Sequence, residues 1–507
     1  MNLTGWPRRT GLLLAPVALT LGLTSCGSRV GGDLSGVLSA TAGEGVGAAG
    51  AATFGAEGQA PTSPTQAGSV GTDQGQAPGS YAVGSAGSSQ GVGPSTPGLR
   101  NNSGRGFDAK TITVGVVTSS STGKFASTFG VTGDTGDIGA RFRTVAKYIN
   151  SHGGVAGRQL VIVTHDVDFA TAVNNPAQAS AEVCTAFVQD RKVFAVLNPL
   201  PLQEQHQCLA KGDTPFVDGS TLHFSQQEFN TYSSYFFGPA MMTTERMIHS
   251  LISSIVGRKF FAGWNATKGG PGPMPLKIGL LYAENPQAAG QAKLQRMYLE
   301  QAGYKISDTV SYQSNLQAAL AATQNAILKF KAEGITHVVG ASVFFLQGAE
   351  QQNYRPRYVL PPSLGRSYAA NSPKQQMVGS MTIGWRPLND VAPAQLTGDL
   401  SPATTLCKKI MKADGHNVGN ADEFAGMLKT CDAGFAFAAA LQGVKRPSNL
   451  ELRLGIERLG TVWRSAETYI SRFSSSQHAS AVGVRDVEFD PSCTCMKYTS
   501  GVRLALD

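Results

Sequence analysis

Tyr148-Ile149-Asn150-Ser151-His152-Gly153-Gly154-Val155-Ala156-Gly157-Arg158-Gln159-Leu160 ends one element of structure and begins another. Upstream of it, Ile138, Phe142, Val145, Ala146 and Ile149 recur at helical spacing, so one face of a helix is apolar. Gly153-Gly154 stops that helix, because glycine takes the left-handed backbone of a helix end at no steric cost. Downstream, Gln159–Asp166 (QLVIVTHD) is rich in β-branched residues and reads as a strand. A similar run, Thr111–Thr118 (TITVGVVT), precedes the helix. Strand, helix, strand in this order is a parallel crossover, and a parallel sheet is covered by helices on both faces.

The alternation continues outward from this unit. Further strands are expected at 193–197 and 214–217, with helices at 176–189 and 202–211. A break falls at Phe237-Gly238-Pro239, followed by a helix at 241–256 and a Gly/Pro-rich loop at 269–275. The series then resumes with strands at 276–282, 304–312 and 336–340 and helices at 287–302 and 316–333. A strand at 378–385 leads to helices near 404–413, 421–442 and 449–459, and β segments at 482–489 and 495–504 close the chain. The folded part starts near Lys110 and is too long for one core, so an α/β chain of two lobes is expected.

Several stretches are similar to one known family. Asn150-x-x-Gly153-Gly154-x-x-Gly157-Arg158 matches the helix-stop and strand-start of the type I periplasmic solute-binding proteins, in particular the branched-chain amino-acid receptors, substrate-binding lipoproteins of ABC transporters. Ser121-Thr122-Gly123-Lys124-Phe125-Ala126 resembles their Ser/Thr-Gly turn, and Leu280-Leu281-Tyr282 resembles the opening of their second lobe. The resemblance implies a type I periplasmic binding protein fold, two doubly wound parallel-sheet lobes joined by a three-crossing hinge. Lobe 1 is expected over 110–238 plus 386–466, and lobe 2 over 239–385 plus 467–507. It further implies a small-molecule solute held between the lobes, delivery to ABC permease subunits, no enzymatic activity and no cofactor. A sensor or partner-binding module on the same fold, uncoupled from transport, is the alternative.

In open parallel sheets a ligand sits beyond the carboxyl ends of the strands, where helix N-termini and loop backbone converge. That rule and the resemblance together single out Ser121, Thr122, Asn198, Ser220 and Thr221 in the first lobe. In the second they single out Tyr282, Asn285, Ser342 and Phe344, with the two aromatics able to stack on a solute. Ser and Thr after a strand are also ordinary helix caps, and aromatics at strand ends are ordinary core. Two departures from the family pattern bear on the solute. Asn198-Pro199-Leu200-Pro201-Leu202 stands where these receptors offer a serine, and Ala289-Gly290 where they offer a Tyr-Gly pair. Groups that would hold an amino acid's ammonium and carboxylate are absent from those places, and an unpartnered buried charge is costly, so a less polar or larger solute is expected.

The first 25 residues read as a secretory signal: Arg8-Arg9, a short apolar run, then Leu23-Thr24-Ser25-Cys26. Leu-Thr-Ser-Cys resembles the bacterial lipobox, which makes Cys26 the lipidated residue and the protein a lipid-anchored, extracytoplasmic one at the cell membrane. Arg8-Arg9 leaves both Sec and twin-arginine export open. Residues 26–109 are Gly, Ala, Ser, Thr, Pro and Gln with few aromatics, a composition that cannot bury enough apolar surface to fold. Such a tether reaches ~50 Å as a flexible coil.

The net charge of +8 is spread over 507 residues without a basic stripe, so nucleic acid is not an expected partner. Six cysteines remain beside Cys26, an even number in an exported chain. Cys184 with Cys208 and Cys407 with Cys431 share a spacing of 24 and lie on successive helices, so two disulfides are expected. The resemblance places the first of these where such receptors often hold a disulfide. Each would contribute about 3 kcal/mol through the unfolded chain. Cys493-Thr494-Cys495 is left open; a metal there would need two more ligands, and none is near in sequence. Gly45–Gly50 and Gly87–Gly91 satisfy dinucleotide and nucleophile-elbow patterns inside the tether, where no strand or helix supports them. His165-Asp166-Val167-Asp168 superficially resembles an acid-base cluster but sits at a plain strand end.

Overall fold

A computed structural model describes residues 105–121, 136–200, 202–219, 223–313, 316–396 and 400–507, all within one compact unit spanning 89–507. The first sheet has the order β2-β1-β3-β4-β5, from strands Thr111–Thr118 (β1), Gln159–Asp166 (β2), Ala195–Leu197 (β3), Phe216–Val217 (β4) and Phe236–Phe237 (β5). Every pairing in it is parallel. Ile138–Ser151 (α1) connects β1 to β2, and the quoted stretch does so through specific bonds. Asn150 donates from Nδ2 to the Leu160 carbonyl at 3.0 Å and accepts from Leu160 N at 2.7 Å, tying the helix end to the new strand. Gly153 and Gly154 have φ of +99° and +72°, and a Cβ on Gly154 would collide with the Arg158 carbonyl.

Side chains alternate across the sheet, as a period of two requires. Ile112, Val114 and Val116 enter a core with α1, Ala421–Ala440 (α14) and Asn449–Leu459 (α15). Gly115 faces the other way, where the Phe187 ring leaves no room for a Cβ. That second core holds Phe187, Phe216, Phe224, Phe229 and Phe236 beneath Phe169–Asn174 (α2), Pro176–Cys184 (α3) with its continuation Thr185–Asp190, Gln203–Lys211 (α4) and Gln226–Thr231 (α5).

The second sheet has the order β14-β13-β12-β11-β10-β8-β9, with β15 also on β13. Its strands are Ile278–Ala283 (β8), Ile306–Tyr312 (β9), His337–Val339 (β10), Arg357–Val359 (β11), Met381–Gly384 (β12), Gly483–Asp490 (β13), Cys495–Tyr498 (β14) and Arg503–Leu504 (β15). A short hairpin, Trp264–Asn265 (β6) and Gly270–Pro271 (β7), forms a separate two-stranded sheet, its second strand in the expected Gly/Pro-rich loop. Five strands of the sheet are parallel and the closing segment runs antiparallel, so the sheet is mixed at one edge. Thr244–Gly257 (α6) and Pro286–Gln301 (α7) cover one face, while Leu316–Glu333 (α8) and Val343–Gln351 (α9) cover the other. Gly365–Asn371 (α10), Lys374–Met377 (α11), Pro387–Asp390 (α12) and Pro402–Ala413 (α13) complete the chain.

Several stretches differ from the sequence reading: Phe169–Asn174 is an additional helix, Arg357–Val359 an additional strand, and the strand expected at 214–217 is confined to Phe216–Val217. The chain passes between the sheets three times. Gly238 N donates to His478 O and Ser480 N to Gly238 O, each at 2.9 Å, so two of these passages run side by side. Trp463 Nε1 donates to Pro239 O at 3.0 Å and Trp385 Nε1 to Ala240 O at 3.3 Å, fastening the others to the same strap.

Candidate functional site

The carboxyl ends of β1, β3 and β4 lead to Ser121, Asn198 and Asp218, and those of β8, β10 and β11 to Asn285, Ser342 and Ser363. Four of the expected ligand residues spend their side chains on the chain itself. Ser121 Oγ accepts from Phe169 N at 2.8 Å, at the start of α2. Asn198 sits at φ +63° and donates from Nδ2 to Val117 O at 2.9 Å, pinning β3 to the end of β1. Asn285 caps α7 by accepting from Ala288 N at 2.8 Å, and Ser342 caps α9 by accepting from Phe345 N at 3.2 Å. Phe344 is half-buried in the first turn of α9. Thr122, Ser220 and Thr221 lie outside the described residues, as does Cys26.

Tyr282 is placed differently: half-buried at the end of β8, it lines a cavity of about 210 Å³ between α6, α7 and the strand ends. Leu251, Leu281, Leu360 and Pro361 supply apolar walls, and Gln291, Gln295 and Tyr312 supply polar ones. His223 closes it from the first-sheet side. The loop carrying His223 is held to the second sheet's helices, because Gln287 Nε2 donates to His223 O and Thr244 N donates to Phe224 O. The sequence reading missed His223 and the two glutamines. Gln287, Gln291 and Gln295 recur every fourth residue, which puts all three on one side of α7, and that spacing was the available signal.

Behind the cavity lies a set of buried charges. The His223 ring stands 5.1 Å from that of Trp385. The next residue, Arg386, pairs with Glu467 and donates to Gly219 O at 3.2 Å, just before Ser220 and Thr221. Burial holds the His223 imidazole down at about 3, with the Arg386 charge acting the same way, so it is neutral at physiological pH. Burial lifts the Asp390 carboxyl to about 7 against hydrogen bonds that favour its charged form. Burial and the neighbouring Glu467 charge raise Asp432 well above the carboxylate range, although Ala466 N donates to it at 2.6 Å. His223 Nδ1, Arg386 Nε, Asp390 Oδ1 and Glu467 Oε1 have no partner among the described residues.

The other chemical readings resolve structurally. Asp166 accepts from Ser120 N at 3.0 Å and Thr118 Oγ1 at 2.8 Å, and Asp168 caps α2, so the acid-base cluster is a pair of strand and helix ends. Cys184–Cys208 and Cys407–Cys431 are disulfides, and Cys493–Cys495, open in the sequence, is bonded as well. Among the described residues no cluster of three His, Cys, Asp or Glu can hold a metal, and no helix is long and apolar enough to cross a membrane.

A family model described as periplasmic binding protein matches residues 111–448. No curated protein matches the sequence. Solved structures do. The branched-chain amino acid transporter substrate binding protein LivJ from Streptococcus pneumoniae, in complex with isoleucine, is 16% identical with a TM-score of 0.52, covering 78% of this chain and 99% of its own. A branched chain amino acid ABC transporter structure from Thermus thermophilus with bound valine is 14% identical with a TM-score of 0.54, covering 79% and 98%. A fatty acid ABC transporter substrate-binding protein from Thermomonospora curvata is 12% identical with a TM-score of 0.53, covering 80% and 95%. At these identities the likeness is one of fold.

Proposed function

Because the chain belongs to the periplasmic binding protein family, a family of binding and transport proteins and not of enzymes, we propose that it captures one small molecule between its lobes and hands it to an ABC importer. Its anchor is a lipid on Cys26, with residues 26–109 as the tether and lobes bounded as the sequence suggests. One observation supports the location above others: His223 from the first-sheet side meets Tyr282 of the second sheet at a common cavity, at the carboxyl ends of parallel strands. Ser220, Thr221 and Thr122 are the proposed hydrogen-bonding residues. Tyr282 and Phe344 are proposed as walls, and Ser121, Asn198, Asn285 and Ser342 frame the site through the loops they pin.

The proposed solute carries an apolar group. The cavity of about 210 Å³ exceeds the ~150 Å³ apolar cavity that accepts benzene. Solved structures of this fold include complexes with isoleucine and valine and a fatty acid transporter protein. Here Asn198-Pro199-Leu200-Pro201-Leu202 and Ala289-Gly290 replace the family's serine and Tyr-Gly pair, which favours a solute without an amino acid's paired charges. Native mass spectrometry of protein purified without denaturant tests this reading. A carried small molecule with an apolar part is the expected result; a chain that carries nothing and is stabilised by no metabolite in a thermal-shift screen overturns it.

A further inference from the structure

Away from that cleft, a crevice of about 600 Å³ lies beside the chain crossings. It is built from both halves: Ser465 next to Ala466 of the first core, and Ala505, which packs against the second. Three guanidinium groups line it, Arg246, Arg464 and Arg472, against a single acidic side chain, that of Asp507. Arg246 is 8% exposed and donates from Nε to Asp507 Oδ1 at 2.7 Å, while its Nη1 is buried with no partner among the described residues. The Asp507 side chain is 85% exposed. A guanidinium withdrawn from water needs an anion, and a carboxylate that solvated is a weak, easily exchanged one. In the same crevice Ile470 and Leu504 are 37% and 66% exposed, apolar surface that the fold itself leaves uncovered.

We propose that this crevice binds a small amphiphilic anion. Its phosphate or carboxylate head pairs with Arg246 and Arg472 in place of Asp507, and a short apolar chain lies on Ile470 and Leu504. Arginine suits the head because its planar fork meets two oxygens at once. An occupant touching both halves of the molecule ties them together, so its affinity depends on how far the cleft is open.

Calorimetry on the full chain with octyl phosphate, inorganic phosphate and octanol as separate probes tests the site. Octyl phosphate is expected to bind more tightly than either half-probe. Arg246→Gln with Arg472→Gln weakens it by about tenfold or more, the worth of one charged hydrogen bond. Asp507→Asn tightens it, since the internal competitor is gone, and this variant leaves the buried arginine in place should the double variant fail to fold. Lys147→Gln, a surface change elsewhere, leaves it unaltered. Vesicles of neutral lipid with and without phosphatidic acid separate the two sources of such a head. Arg246-dependent capture by the acidic vesicles points to a membrane lipid, and binding of octyl phosphate alone points to a free metabolite. Equal binding of inorganic phosphate identifies an adventitious ion only, and equal binding of octanol, or indifference to all three substitutions, overturns the proposal.

Discussion

Arg386 and Glu467 are each 1% exposed and pair with one another from different passages of the chain between the sheets. Trp385, the neighbour of Arg386, is fastened to Ala240 O of the first passage, and Glu467 N donates to Asp432 of α14 at 3.3 Å. The ion pair therefore joins the passages to the helix behind the first sheet. An ion pair so placed gains little over an apolar contact, but removing one partner strands the other charge. Glu467→Gln is expected to lower unfolding stability in urea by about 3–5 kcal/mol, and Arg386→Met with Glu467→Leu by much less. Additive losses in the double variant would show that the pair does not act as a unit.

The pH dependence of stability should hold two opposed contributions. The His223 pKa is depressed from 6.5 to about 3, so its contribution is whole above 6.5 and is lost as pH falls toward 3. Asp390 is raised from 3.8 to about 7, so its contribution is whole below 3.8 and is lost as pH rises through about 7. His223→Asn is expected to flatten the acid limb of a plot of unfolding free energy against pH, and Asp390→Asn to flatten the neutral limb. Identical profiles for wild type and both variants would remove these groups from the account.

Each long-range disulfide closes a loop of sequence separation 24. Cys407→Ser with Cys431→Ser should cost about 3 kcal/mol by denaturant titration, the loop entropy returned to the unfolded chain. Cys407 and Cys431 are both fully buried in the first core, so labelling by a thiol reagent without denaturant is expected to be nil. Stoichiometric labelling at either position would refute the bond.

The alternation of strand and helix was legible because apolar periodicity and glycine stops act locally. Leu316–Glu333 and Asn449–Leu459 have the bounds expected of them. Arg357–Val359 was not found: three residues carry too little pattern to mark a strand, and its neighbours β10 and β12 supply the context. The site was legible only as loops. Asn285 and Ser342 follow strands as a ligand residue would, yet a cap needs the same short polar side chain at the same place, so sequence cannot separate the two roles. Arg386 and Glu467 lie 81 residues apart, and no local signal links them.

Lipidation of Cys26 makes a separate prediction, since it concerns the anchor and not the lobes. Cys26→Ser should move the protein from the membrane to the soluble fraction of cells expressing the full chain. Unchanged partitioning into the detergent phase would locate the anchor elsewhere.

The cleft itself should stabilise the protein on binding by mass action, about 2.7 kcal/mol at a hundred times the dissociation constant. A solute with an apolar group is expected to give that response, and leucine, isoleucine and valine little of it, because the polar places of the amino-acid receptors are unfilled here. Ser220→Ala with Thr221→Ala should weaken the response by removing hydrogen bonds, while Tyr282→Ala should weaken it by opening the wall of a cavity of about 210 Å³. The serine and threonine changes should move the unliganded melting point little, whereas Tyr282→Ala should lower it, since Tyr282 packs half-buried against the core of the second sheet. The two variants differ in what they predict for solute choice. Loss of the hydroxyls should penalise polar solutes most, whereas loss of the tyrosine should admit bulkier apolar ones. Strong stabilisation by leucine in the wild type, abolished by the serine and threonine changes, would show that the loop after β4 holds an amino acid after all.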